Sequence, residues 1–104
     1  MMDGEKMVEV KVRFFTNLRE IVDKREETLM FPGDGKVTVN LVLEKLSKKY
    51  GILFTEYVYD VKTGQPKNFL QFLVNGTSTS TLNGLDTALS DKAVLAILPP
   101  VGGG

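Results

Sequence analysis

Neither cysteine nor histidine occurs anywhere in the 104 residues, and tryptophan is missing too. Without thiols there are no disulfides and no thiolate nucleophile. Without imidazoles the commonest general base is gone, and with it the usual zinc ligands. The sequence therefore argues against a self-sufficient hydrolase or redox enzyme. Carboxylates, lysines and tyrosines remain, yet paired-carboxylate catalysis needs two acids converging in one cleft, and no pattern announces such a pair. Net charge is also absent, with thirteen Lys and Arg against thirteen Asp and Glu. The long-range field used by nucleic-acid binders and polybasic membrane binders is accordingly missing. No apolar run approaches a membrane span, and Met1-Met2-Asp3-Gly4-Glu5-Lys6 holds no hydrophobic stretch to serve as a signal peptide. The expected location is the cytoplasm, with no metal site, no bound cofactor, no nucleic acid and no membrane partner.

What is present is a globular composition, 42% apolar and 25% charged, at the size of one ordinary domain. We read 1–104 as a single domain in which 1–6 are disordered and 99–104 form a flexible C-terminal tail. The ending Leu98-Pro99-Pro100-Val101-Gly102-Gly103-Gly104 is the least ordinary stretch. Pro99 and Pro100 fix φ and hold their predecessors extended, so they should end a strand and point the tail away from the body. Gly102, Gly103 and Gly104 lack a Cβ and fit a slot too narrow for other residues. From Pro100 onward the chain could reach roughly 13 Å, at about 3.3 Å per extended residue. The one carbon placed for covalent chemistry is then the carboxylate carbon of Gly104. A frayed terminus has the same glycines; the Pro-Pro-Val fused to an apolar strand argues for a built tail.

From Met7 to Thr16 the sequence alternates. Val8, Val10, Val12 and Phe14 lie on one face and Glu9, Lys11, Arg13 and Phe15 on the other, the pattern of a half-buried strand with an aromatic on its charged face. Asn17 to Lys24 reads as a turn of helix or a loop. A second strand over Glu26 to Phe31 turns Leu29 and Phe31 inward and Thr28 and Met30 outward, antiparallel to the first. Pro32-Gly33-Asp34-Gly35 is a turn. Its Gly35-Lys36 lacks the leading glycine and following Ser or Thr of a phosphate-binding loop. Thr38 reads as an N-cap for a helix whose Val39, Val42, Leu43, Leu46 and Tyr50 form the apolar stripe and which Gly51 ends. Residues 52 to 68 carry Phe54, Tyr57, Val58, Tyr59 and Val61 without a clear period, and read as a satellite cluster with a surface turn. A strand over Phe69 to Asn75, a turn at Asn75-Gly76 and a polar loop or weak edge strand at 77–81 follow. Leu85 and Leu89 tuck under the sheet, and a strand over Ala93 to Leu98 is apolar on both faces. Val94, Ala96 and Leu98 either face outward with Phe15 and Leu73 as a patch beside the tail, or lie under the 52–68 segment.

Strand, strand, helix, strand, strand, with a mixed sheet covered on one side by one main helix, is the element order of an α+β, ubiquitin-like β-grasp domain with an extended C-terminus. Val12-Arg13-Phe14-Phe15, Leu18-Arg19-Glu20-Ile21-Val22, Val74-Asn75-Gly76, Gly84-Leu85-Asp86-Thr87, Leu89-Ser90-Asp91 and the closing Leu98 to Gly104 carry a closer likeness. On these residues the chain resembles the small sulfur-carrier subunit of molybdopterin synthase (MoaD) and, more distantly, the thiamine sulfur carrier (ThiS) and archaeal ubiquitin-like modifiers. The resemblance implies a carrier more than an enzyme. A separate ubiquitin-activating-type adenylating enzyme uses ATP to adenylate Gly104, with Gly103 keeping the approach slim. Sulfur replaces the AMP, and the thiocarboxylate serves molybdopterin synthesis in the large synthase subunit. It further implies that Phe15, Leu73, Leu98, Pro99, Pro100, Val101 and Gly102 meet these partners. A ubiquitin-like modifier conjugated to target lysines uses the same diglycine chemistry. The chain departs from the family in having Gly102 where an alanine is usual, and in its longer 52–68 segment.

Overall fold

The structure is a computed structural model that describes residues 7–99. The expectations for 1–6 and for Pro100 to Gly104 fall outside the described residues. Strand β1 (Met7–Phe14) leads through helix α1 (Thr16–Val22) into β2 (Glu26–Pro32). Helices α2 (Val39–Tyr50) and α3 (Ile52–Val58) follow, then β3 (Gln71–Val74), β4 (Thr77–Ser78) and β5 (Ala93–Leu98). The strands form one mixed sheet in the order β2-β1-β5-β3-β4, parallel only between β1 and β5. This is the β-grasp arrangement expected from the order of elements.

Period-two alternation sets which face of the sheet is dry. Val10, Val12 and Phe14 of β1, Ala93, Leu95 and Ile97 of β5, and Phe72 and Val74 of β3 all point into one core with Leu29 and Phe31 of β2. Helix α2 covers them with Val39, Val42, Leu43 and Leu46, each fully buried. Its N-terminus is capped as read: Thr38 Oγ1 accepts from the Leu41 amide at 3.2 Å. At the other end Gly51 takes φ 80° and ψ −151°, a conformation open essentially to glycine, and its amide donates to the Ser47 carbonyl at 2.9 Å. Leu41 is part-exposed, off the stripe.

Among the described residues two shorter α-helices join the main helix α2 on the core side. The undecided stretch after β1 is α1, which buries Leu18 and Val22 one turn apart and stops where Asp23 turns left-handed at φ 60°. The segment without a clear period begins as α3. It buries Phe54 and Val58 at i, i+4, while Ile52 and Leu53 stay exposed. Tyr57 and Tyr59 pack against the core edge, Tyr59 bridges back to Pro66, and Val61 sits at the exposed tip. β3 is shorter than expected at both ends. The Leu70 amide is taken by Lys67 O at 3.2 Å in a turn, and Asn75 already has φ 50°. Asn75 and Gly76, both at positive φ, make the hairpin to β4, and Asn75 Oδ1 accepts from the Val94 amide at 2.9 Å, tying the turn to β5.

Candidate functional site at the tail exit

β5 is hydrogen-bonded along both edges, so the last described residues leave from the middle of the sheet. Val12 pairs with Leu95 and Phe14 with Ile97 on one side. Leu73 pairs with Ala96 and Gln71 with Leu98 on the other. The outward residues of β5 are Val94, Ala96 and Leu98, all half-buried. Ala96 stands between Arg13 of β1 and Leu73 of β3, with Ser78 of β4 beyond, and Val94 stands beside Lys11. Helix α3 and the turn after it lie with α1 and α2 on the opposite face, so the 52–68 segment does not cover this one. The alternative of a covered β5 face is thereby removed. What remains is an apolar strip flanked by the stems of Lys11 and Arg13, whose heads reach Glu26 at 3.7 and 3.9 Å.

Of the residues singled out in the sequence, Phe15, Leu73, Leu98 and Pro99 are described, and all four are half-buried on this face or at its exit end. Pro100, Val101, Gly102, Gly103 and Gly104 lie outside the described residues. Phe15 keeps β1's direction for one residue, at φ −134° and ψ 150°, and its carbonyl accepts from the Leu18 amide at 3.1 Å as α1 begins. Among the described residues no group of three or more Asp or Glu side chains converges to hold a metal ion, and no helix is long and apolar enough to cross a membrane.

One charged cluster was missed by the sequence reading. Glu27 is on the inward parity of β2 with Leu29 and Phe31, and its side chain is buried. Its carboxylate accepts from Lys49 Nζ and from the Tyr50 hydroxyl at the end of α2, with Lys24 Nζ at 3.7 Å. Burial alone would raise its pKa. The two hydrogen bonds and the charges of Lys24 and Lys49 together outweigh burial and hold the carboxyl below its ordinary range. Burial and the Glu27 carboxylate push the Tyr50 phenol up to about 12. The signal available in the sequence was the strand's parity, which puts Glu27 inward. The cluster sits across the core from the outward face and locks α2 to β2.

The sequence profile of the ThiS family matches residues 12–104. The chain belongs to that family. It is 33% identical over 97 residues to small archaeal modifier protein 3 of Haloferax volcanii, covering 93% of this chain and all of that protein. The solution structure of small archaeal modifier protein 1 from Methanosarcina acetivorans superposes with a TM-score of 0.75 at 36% identity, covering 95% of this chain and 99% of the other. The crystal structure of CysO from Mycobacterium tuberculosis gives 0.68 at 26%, covering 88% and 99%. Two of these relatives are named as small archaeal modifier proteins, and the family match spans both β5 and the glycines that follow it.

Proposed function

We propose that this protein is a cytoplasmic sulfur carrier whose reactive group is the Gly104 carboxylate. The observation that carries the reading is the strand from which the tail departs. β5 is fixed on both edges, opens an apolar outward face beside its exit, and continues into a proline-stiffened, glycine-ended segment inside the family match. A carboxylate is a poor electrophile, so a separate ubiquitin-activating-type enzyme supplies the ATP site. The Gly104 carboxylate attacks the α-phosphorus of ATP, pyrophosphate leaves, and an acyl adenylate forms. Hydrosulfide attacks the acyl carbon, AMP leaves, a proton is released, and the thiocarboxylate remains on Gly104. Gly103 and Gly102 leave the approach narrow, and Phe15, Leu73, Leu98, Pro99, Pro100 and Val101 form the contact surface. The thiocarboxylate sulfur then displaces an oxygen leaving group from a pterin precursor held by the large subunit of molybdopterin synthase, this chain being the small subunit. Water cleaves the acyl–sulfur bond, which leaves sulfur on the pterin and restores the Gly104 carboxylate.

A second reading is favoured by a specific observation, the relatives at 33% and 36% identity that bear the name of modifier proteins. In it a lysine amine of a target protein attacks the acyl carbon of the Gly104 adenylate, AMP leaves, a proton is released, and an isopeptide bond forms. Intact mass after incubation with ATP, a sulfide source and an adenylating enzyme decides the shared chemistry. Replacement of one oxygen by sulfur, absent when Gly104 is deleted, is the expected result. No change with an enzyme active on another carrier would refute it. Recovery of branched diglycine-linked peptides from target lysines would assign the second reading, and copurification with a larger pterin-binding subunit the first.

A further inference from the structure

The described chain stops at Pro99, and Gly104 is five residues further on, so the terminal carbon lies within about 17 Å of Pro99 whatever path the chain takes. An enzyme acting on that carbon must bring its own surface up to the end of the sheet where β5 leaves. Two aromatic side chains flank that end, and each carries a cation. On the β1 side is Phe15, one residue past the partner of Ile97, with the Arg19 guanidinium 5.9 Å from its ring centroid. On the β3 side is Phe69, two residues before the partner of Leu98 and 47% exposed, with the Lys67 ammonium 5.8 Å from its centroid. Lys67 Nζ donates to Glu56 O at 2.8 Å and keeps two further N–H groups.

Arg19 is the more informative of the two cations. Its Nε is shielded from solvent and hydrogen-bonds to nothing among the described residues. With Nε closed off by the fold, it is the terminal Nη groups of this half-buried residue that are left to meet an incoming acceptor. A guanidinium lying over a ring still offers its edge, and the ligand that fits that edge is a carboxylate taking two parallel hydrogen bonds. With zero net charge on the whole chain, this is local complementarity and not long-range steering.

We infer that the tail exit is a docking rim, and that the adenylating enzyme seats on it an apolar surface bearing carboxylates, one of them on Arg19 and another near Lys67. This rests on the activation of Gly104 proposed above. The rim adds Arg19, Lys67 and Phe69 to the partner surface, and it asks for acidic groups around the mouth of the enzyme's slot.

The test uses the full chain and a ubiquitin-activating-type enzyme already shown to load another carrier of this family. Direct binding and the concentration dependence of sulfur loading are measured for wild type, R19Q, R19K, K67Q and R19Q/K67Q, with circular dichroism to confirm folding. The double variant is expected to weaken binding and raise KM at least tenfold with kcat within twofold, and to flatten the salt dependence. R19K is expected to fall between R19Q and wild type. Wild-type affinity and KM in R19Q/K67Q would overturn the rim. A wild type that binds but gains no sulfur would overturn the proposed function and leave the rim to the binding series; no binding and no loading would overturn both.

Discussion

Glu27→Gln keeps the shape of a buried side chain and removes its charge. The carboxylate accepts from Lys49 and Tyr50 and faces Lys24 at 3.7 Å, with its own side chain 7% exposed. Hydrogen bonds to a charged group are worth about 1.5–3 kcal/mol each. Lys49 and Lys24 are close to half exposed, however, and water takes over part of their solvation when the anion goes, which brings their share toward the about 0–1 kcal/mol of a surface pair. The amide retains a weaker bond to Tyr50. The expected loss is about 2 kcal/mol, which for a domain of this size lowers Tm by about 10 °C. Sign follows from the depressed carboxyl. Its folded pKa lies below the ordinary 4.5, so its contribution is present above that value and is lost as pH falls through the folded pKa. Thermal melts by circular dichroism at pH 7 should therefore separate the two proteins, and the gap should close as pH falls below 4.5 and on through the depressed folded pKa. Equal Tm at pH 7, or a gap that persists unchanged in acid, would refute the claim that this cluster clamps α2 to β2.

Gly51→Ala meets no atom within 4 Å, so its whole effect is backbone strain at φ 80° and ψ −151°; a loss of about 1–3 kcal/mol in urea unfolding is expected, and less than about 0.5 would refute the strain argument. Ultraviolet titration should find one phenol ionising near pH 12, absent in Tyr50→Phe and shifted toward 10 in Glu27→Gln. Because that pKa is raised on folding, the stability it contributes is complete below pH 10 and disappears as pH rises through about 12. Ala96→Glu places a charge at the centre of the outward face, between Arg13 and Leu73. Stability should change by less than about 1 kcal/mol while sulfur loading falls at least tenfold, and undiminished loading would remove this face from the partner surface.

The sheet was legible because its strands alternate cleanly. Val10, Val12 and Phe14 against Lys11 and Arg13, or Leu29 and Phe31 against Thr28 and Met30, leave one choice of face. Helix α2 was legible from both ends, through the Thr38 cap and the glycine at 51. Two short helices were not. Each has seven residues, fewer than two turns, and α3 carries Ile52 and Leu53 on its exposed side, which erases the apolar stripe. The outward face of β5 was visible as a strand apolar on both sides. Whether that face is open or lies under the 52–68 segment depended on where α3 packs, a tertiary fact that no local period encodes. Glu27 sits on an inward parity that the alternation shows, but only the fold brings Lys24, Lys49 and Tyr50 to it.

The composition of the 100–104 segment also gives a reason why the proposed activation would need an outward face. A slot that accepts Pro100 to Gly104 must hold five backbones in one extended conformation, and fixing a residue costs about 1–2 kcal/mol. The three glycines stand at the upper end of that range, while Pro100, with φ already set, stands at the lower. The resulting 5–10 kcal/mol (an order-of-magnitude figure) has to be offset by contacts that a glycine-ended segment is too small to make. Those contacts must come from the body next to the exit, where β5 is held by β1 and β3 and contributes no ordering cost of its own. Half-buried Ala96, Leu98 and Leu73, with Phe15 and Phe69 at the rim, are the apolar area available there. Under the function proposed above, recognition and chemistry would be separate: the sheet would supply affinity, and the terminal glycine would be left free to be small.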